Sequence, residues 1–336
     1  MGHPLATDEI QRLKLLVQCK RTAEEDDTPL RHIFDDVCRQ SSQEAAQNVS
    51  FARIESSMYK RRRLTRPTLP TNHDDADSTV RHSRYAVLDG DVFYRGVASA
   101  ADDGKALIFA TTQQLEMLQS SNEVFFDATF KVVPSLYYQL MTIFASHRDS
   151  AFPAVYILMT RKTQALYQSI FAMLKELVPT FTPTQLMADF EEASVAAFRQ
   201  VFGDVSVAGC WFHYCQAIVK RVQKLGLKEA YMNRDDVKNV VRCVLGLPLL
   251  PASAIPDALQ DIRSTIHSDM HMTRELQQLC NYIQRQWLDK RSIGPERITV
   301  RDTRARTNNM LESYHAALRR RIQVGLTVLG HYNMLQ

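Results

Sequence analysis

The stretch from 124 to 227 constrains the fold more than any other, because strand-length apolar runs and helical repeats alternate along it in a fixed order. Residues 124–132, 137–145 and 154–159 read as three successive strands. Residues 164–178 repeat their apolar positions at helical spacing and stop at Pro179. A fourth strand at 185–188 ends on Asp189, a helix at 191–202 stops at Gly203, a fifth strand fills 205–210, and 214–227 is again helical. The order is βββαβαβα. Three consecutive strands before the first helix predict an α/β fold with a mixed five-stranded sheet flanked by helices.

Less regular segments surround this core. Residues 1 to about 66 read as helical, with Ile10, Leu13, Leu16 and Val17 on one face and Phe51, Ile54 and Met58 on another. The cluster Lys60, Arg61, Arg62 and Arg63 follows as a nuclear-localisation candidate. It serves equally well as the cationic end of a helix. Pro67, Pro70 and the polar stretch 72–83 suggest a linker. Short strand-like runs occupy 84–110, with Asp89-Gly90 as a hairpin signal. Residues 228 to about 290 look wholly helical, and a last helix covers 308–322. The expected organisation is a helical region at 1–83, a strand-rich lead-in at 84–122, a core at 123–227, an all-helical insertion at 228–300 and a completing helix within 301–336.

Composition narrows the class. The balance of 45% hydrophobic and 23% charged residues is that of a globular chain with a sizeable core. No apolar run approaches the length of a membrane span, and residues 1–16 lack the pattern of a secretory signal. The six cysteines have no framework spacing, which fits reduced thiols. The net charge of +4 is unevenly spread: 285–321 holds ten Lys/Arg against four acids, so that segment is +6 and the rest −2. Such a strip suits a polyanion, although a charge run by itself is commonly a solvated face.

Three acids stand out. Asp127 interrupts an apolar strand, where a carboxylate is costly to bury without a partner. Asp189 closes a strand at the end where open α/β sheets place their sites. Glu312 borders the apolar stripe of Leu311, Leu318 and Ile322. Each alone has a structural explanation. Asp127 suits an ion pair, and Asp189 with Glu192, like Asn309 with Glu312, has capping-box spacing. Together, one on the first strand, one after the fourth and one on a late helix, they form the ribonuclease H-like arrangement of metal-binding carboxylates. Such acids repel one another unless cations neutralise them. Hard divalent ions, two Mg²⁺ or Mn²⁺, take oxygen ligands of this kind and drive in-line attack on phosphorus. Cys210-Trp211-Phe212-His213 follows the fifth strand as a C-x-x-H element. With Cys215 it supplies only three ligands, which argues against a structural zinc.

These motifs resemble those of the Mutator-like element (MULE) transposases. Residues 127–131 (Asp-Ala-Thr-Phe-Lys) are similar to that family's Asp-Gly-Thr-Phe strand, and 187–191 (Met-Ala-Asp-Phe-Glu) to its second-acid motif. Residues 210–213 match its C/D-x-x-H element, and 307–315 resemble its third-acid motif. Four motifs in order cover about 84–325. The resemblance implies a DDE-type enzyme of cut-and-paste DNA transposition on a ribonuclease H-like fold, with Asp127, Asp189 and Glu312 as catalytic metal ligands and a helical insertion before the last of them. It further implies Cys210, His213, Asn309 and His315 as supporting residues, and Lys131, Arg301, Arg304, Arg306, Arg319, Arg320 and Arg321 as DNA contacts. The expected partner is double-stranded DNA, bound by a homodimer or larger synaptic complex in the nucleus, with no membrane association. Position 128 departs from the family's glycine. No Cys/His array of the FLYWCH type is present, which suggests a fragment or a chain without its own DNA-end reader. The alternatives are a domesticated DNA-binding or chromatin protein without catalysis, and a cellular nuclease of the same fold; the C-x-x-H element and the helical insertion speak against the latter.

Overall fold

The computed structural model describes residues 7–26, 28–65, 70–130, 133–148, 150–303, 311, 313, 314 and 316. The chain divides into two compact units, one of residues 1–83 and a larger one beginning at Arg84.

The first unit is helical: α1 (Thr7–Glu25), α2 (Leu30–Gln40), α3 (Gln43–Gln47), α4 (Phe51–Thr65) and α5 (His73–Arg81). Leu15, Cys19, Ile33, Phe34, Val37, Ile54 and Met58 form its core. In the basic cluster Lys60, Arg61 and Arg63 are exposed, whereas Arg62 is only 7% exposed. Its Nε donates to the Ala23 carbonyl (3.1 Å), and its Nη2 donates to the carbonyls of Asp26 (3.0 Å) and Thr28 (2.6 Å). A guanidinium presents several donors in a fixed fork, and here it satisfies carbonyls left open where α1 ends. The polar stretch 72–83 is a helix rather than a linker. Asn72 caps α5 by accepting from the amides of Asp74 and Asp75, two acids that also complement the positive helix end. Ala76 and Val80 are its buried face.

The larger unit is mixed α/β. Its strands are β1 (Val87–Leu88), β2 (Asp91–Val92), β3 (Tyr94–Ser99), β4 (Lys105–Phe109), β5 (Glu123–Thr129), β6 (Gln139–His147), β7 (Ser150–Met159), β8 (Gln185–Ala188) and β9 (Ser206–Gly209). Asp89 and Gly90 both take positive φ (50° and 86°) and turn β1 back onto β2, as a two-residue hairpin requires. The other seven strands form one mixed sheet in the order β3-β4-β7-β6-β5-β8-β9. The expected five are its β5 to β9. The two additional strands come from the lead-in, joined through the antiparallel pairing of β4 with β7. Among the described strands only β5-β8 and β8-β9 are parallel.

Between strands run α6 (Thr112–Gln119), α7 (Gln164–Leu177), α8 (Glu192–Phe202) and α9 (Trp211–Lys224). One face of the sheet, with Phe126, Ile143, Ile157 and Leu186, packs on α7 and α8 through Ile170, Phe171, Leu174 and Phe198. On the opposite face Phe125, Phe144 and Met187 meet Cys210, Leu311 and Tyr314. Beyond α9 come α10 (Lys228–Asn233), α11 (Asp235–Gly246), α12 (Ile255–Ser264), α13 (Thr273–Ile283), a π-helical turn (Gln284–Leu288) and α14 (Gly294–Ile298). These build a separate helical core around Val237, Val241, Leu259, Leu276, Leu279 and Ile283. Among the described residues no helix is long and apolar enough to cross a membrane.

Candidate active site

The adjacent parallel strands β5 and β8 set the geometry. Phe125 on β5 lies level with Met187 on β8. Two residues further on come Asp127 and Asp189. Side chains alternate between faces, so Asp127 shares the face of Phe125, and the path of β8 carries Asp189 toward that of Met187. Adjacent strands lie about 5 Å apart. The two acids line one small cavity together with Glu191, Tyr167 and Ser194. Sequence reasoning thus brings two of its three acids to one place. Glu312 lies outside the described residues, as do Lys131, Arg304, Arg306, Asn309, His315, Arg319, Arg320 and Arg321. The described Leu311 and Tyr314 pack on the sheet face that carries Phe125 and Phe144.

Asp127 is 9% exposed, and its Oδ1 accepts from the Ala128 amide (3.0 Å). Opposite it on β6 stands Thr142, fully buried, whose hydroxyl has no hydrogen-bond partner among the described residues. Asp189 does not form the capping box its spacing suggested. Glu191 occupies the N-cap of α8 without a side-chain cap, and Glu192 instead pairs with Lys290. Asp189 closes a tight turn, its Oδ1 accepting from the Glu191 amide (3.0 Å).

Glu191 is an acid that sequence reasoning did not single out. It is half-buried, and burial together with the negative charge of Asp189 pushes its carboxyl above the usual range. Lys162 at 3.8 Å and a hydrogen bond donated by the Tyr167 hydroxyl (3.2 Å) oppose that shift. The same hydroxyl accepts from Gln139 Nε2 (2.8 Å).

The C-x-x-H element opens α9. Cys210 is its buried N-cap. Burial disfavours a charged His213 imidazole, but contact with Cys210 and the carboxylates of Asp127 and Asp189 outweigh it and raise the group to about 9. His213 therefore sits in the field of both acids, and its Nδ1 has no hydrogen-bond partner among the described residues. Cys215 packs into the helical core, whereas Cys210 packs against Phe125 and Met187. Trp211 of the element and the adjoining Tyr214 tie the halves of the unit together: Trp211 Nε1 donates to the Leu245 carbonyl (2.9 Å) and the Tyr214 hydroxyl to that of Val244 (3.0 Å). Both carbonyls belong to the C-terminal turn of α11, where intrahelical partners run out.

Among the described residues no three His, Cys, Asp or Glu side chains are grouped closely enough to hold a metal ion. Asp127 and Asp189 nevertheless offer paired hard oxygen donors on one cavity. Beside them are two polar atoms, on Thr142 and His213, without partners among the described residues. This donor set suits an oxygen-preferring divalent cation completed by water and a further carboxylate.

Residues 123–217 match the MULE transposase domain. The match runs from β5 into α9 and so takes in Asp127, Asp189, Cys210 and His213. No curated protein matches the sequence. Among solved structures, the Drosophila P element transposase strand transfer complex aligns over 99% of this chain and 91% of its own, at 8% identity and a TM-score of 0.37.

Around the MULE-matching segment, the helical insertion holds the second acid from outside. Phe190, between Asp189 and Glu191, lies against Gly209, where a Cβ would overlap its ring. The ring meets Trp287 edge-on at 4.6 Å, and Trp287 packs in turn on Tyr214 at 4.9 Å. Arg297, 7% exposed, lies 5.7 Å from the centre of the Phe190 ring. It donates from Nη2 to the carbonyls of Asp189 (2.9 Å) and Glu191 (3.4 Å) and from Nη1 to that of Ser292 (3.0 Å). Of the described cations in the basic strip, Arg297 is buried and Lys290 pairs with Glu192, while Arg285, Arg291 and Arg301 are exposed. A glycine inside a strand run is the one local signal of this close approach.

Proposed function

We propose that this chain is the catalytic region of a DNA transposase on a ribonuclease H-like core, cleaving and joining DNA strands in cut-and-paste transposition. One observation carries the reading: Asp127 and Asp189 meet on one cavity at the carboxyl ends of adjacent parallel strands, inside the segment that matches the MULE transposase domain. Asp127 and Asp189 are the ligands for a pair of divalent cations, Mg²⁺ or Mn²⁺, and Glu312 is the third by the motif it shares with that family. When bound, such ions supply activation of a water or 3′-hydroxyl and stabilisation of the leaving oxygen. The protein's part is positioning and charge balance, which phosphoryl transfer chiefly needs. The turn at Asp189 is fixed by Arg297 and Phe190. On this reading the substrate is double-stranded DNA, the acting form a dimer or larger assembly, and the compartment the nucleus.

The test is Asp127→Asn, which keeps shape and removes charge. Metal-dependent nicking of supercoiled DNA should vanish. The rise in melting temperature that Mn²⁺ gives the parent should also vanish, because a ligand bound only by the native state stabilises it. The apo melting temperature should hold. A variant that nicks DNA as fast as its parent would overturn the assignment.

A further inference from the structure

The helical insertion contains a second, larger cleft, of about 470 Å³, lined by Arg221, Gln278, Asn281, Tyr282, Arg285 and Gln286. Arg221 comes from α9, the next three residues from α13, and the last two from the π-helical turn. Two guanidiniums, three carboxamides and a phenol line it, and among the described residues no carboxylate does. Arg221 stacks on the Tyr282 ring (5.1 Å to the centroid), and its buried Nε has no hydrogen-bond partner among the described residues. Arg263 donates to Asn281 Oδ1 (2.7 Å), which leaves the Asn281 amide nitrogen to meet an incoming acceptor. The two guanidiniums, with amide donors beside them, favour an anion with several oxygen acceptors.

We propose that this cleft binds the phosphate backbone of DNA. Guanidiniums grip phosphates bidentately, and carboxamides add neutral donors. The Arg221 guanidinium already covers a face of Tyr282, which favours a backbone over a stacked base or free nucleotide. The π-helical turn supplies a further argument. Asp289 N bonds back to the Gln284 carbonyl (2.8 Å), five residues away, and this widened turn sends Arg285 and Gln286 into the cleft while Trp287 packs on Phe190 beside Asp189. Such turns recur at functional sites. A strand held in the cleft is thereby linked through one turn of backbone to the acid site. The ligand class rests on the transposase reading; the cleft's preference for an anion does not.

The test measures binding of a fluorescent duplex of about 30 base pairs by anisotropy, in EDTA so that cleavage plays no part. Two variants are compared with the parent: Arg221→Ala with Arg285→Ala, and Arg285→Ala with Gln286→Glu. The second pair alters exposed side chains only and protects the test if removing Arg221 unfolds the insertion. Each phosphate contact contributes about 0.9 to the slope of log affinity against log salt, so the double-arginine variant should lose about two from that slope and bind at least about tenfold more weakly near 0.1 M salt. Unchanged affinity and slope in both variants would overturn the proposal. So would a nucleoside triphosphate, rather than the duplex, protecting the parent against heat in a way both variants lose. Failure here with nicking still dependent on Asp127 would leave the transposase reading standing; binding lost as expected, with nicking indifferent to Asp127, would do the reverse.

Discussion

Replacing Arg297 with methionine asks how firmly the helical insertion holds the second acid. The guanidinium makes two well-formed bonds, to Asp189 O (2.9 Å) and Ser292 O (3.0 Å), and a longer one to Glu191 O (3.4 Å). A hydrogen bond from a charged donor is worth about 1.5–3 kcal/mol net, and the long third bond adds little. Against this, burial already disfavours the charged guanidinium and pulls its pKa down, opposed by the Asp189 charge. Methionine keeps most of the packing against Phe190 and removes that desolvation cost, so the loss should come to roughly 2–4 kcal/mol. Lysine keeps the charge but is a single point donor, and it should recover only part of the loss. Urea unfolding of parent, Arg297→Met and Arg297→Lys measures this directly. The functional consequence has its own readout. If the bonds to the turn position Asp189, the Mn²⁺-induced rise in melting temperature should shrink in the methionine variant even where the apo protein stays folded. A stability within about 0.5 kcal/mol of the parent, or a full Mn²⁺ response despite lower stability, would refute the positioning argument.

Two further outcomes follow from the same contacts. Gly209→Ala should cost about 1–3 kcal/mol through overlap with the Phe190 ring. Phe190→Leu in the same chain should return much of it, giving a favourable coupling of about 1 kcal/mol in a urea-denaturation double-mutant cycle, and strict additivity would show that the ring is not the obstacle. In the helical N-terminal unit, Arg62→Ala should destabilise by about 2 kcal/mol because three carbonyls lose their donor. Lys60→Ala, at an exposed position, should stay within about 0.5 kcal/mol; equal effects in thermal melts would mean that Arg62 is not the staple it looks.

What could be read from the sequence was whatever local period and chain-breakers encode. The strands and helices of 123–227 were legible because Pro179 and Gly203 stop their helices and the strands are short apolar runs. The Asp89-Gly90 hairpin was legible because few dipeptides take positive φ twice. The membership of β3 and β4 in the main sheet was not, since it depends on pairing Ala106–Phe109 with Tyr156–Met159, about fifty residues away. The α5 helix was misread for a related reason: Asn, Asp, Ser and Thr favour turns and caps alike, and only the burial of Ala76 and Val80 decides between them. Spacing also misled at Asp189. A capping box and a ligand turn look identical in one dimension, and the alternatives separate only when Lys290 is found on Glu192.

The basic strip shows why the candidate site was only half visible. Charge density along a chain carries no record of burial, so Arg297 read as part of a polyanion-binding face when it is a buried donor to carbonyls more than a hundred residues earlier. The same limitation hid Arg221, which lies outside the 285–321 strip yet lines the same cleft as Arg285. If binding in that cleft shifts the π-helical turn, Trp287 must move against Phe190, and the closest constraint on Phe190 is Gly209 at the end of β9. The helical insertion is then more than a spacer between the second acid and the third. It is the element through which a strand gripped at Arg221 and Arg285 would hold the Asp189 turn in register with Asp127. A double-mutant cycle between Arg285→Ala and Arg297→Met, read as nicking rate, measures that coupling.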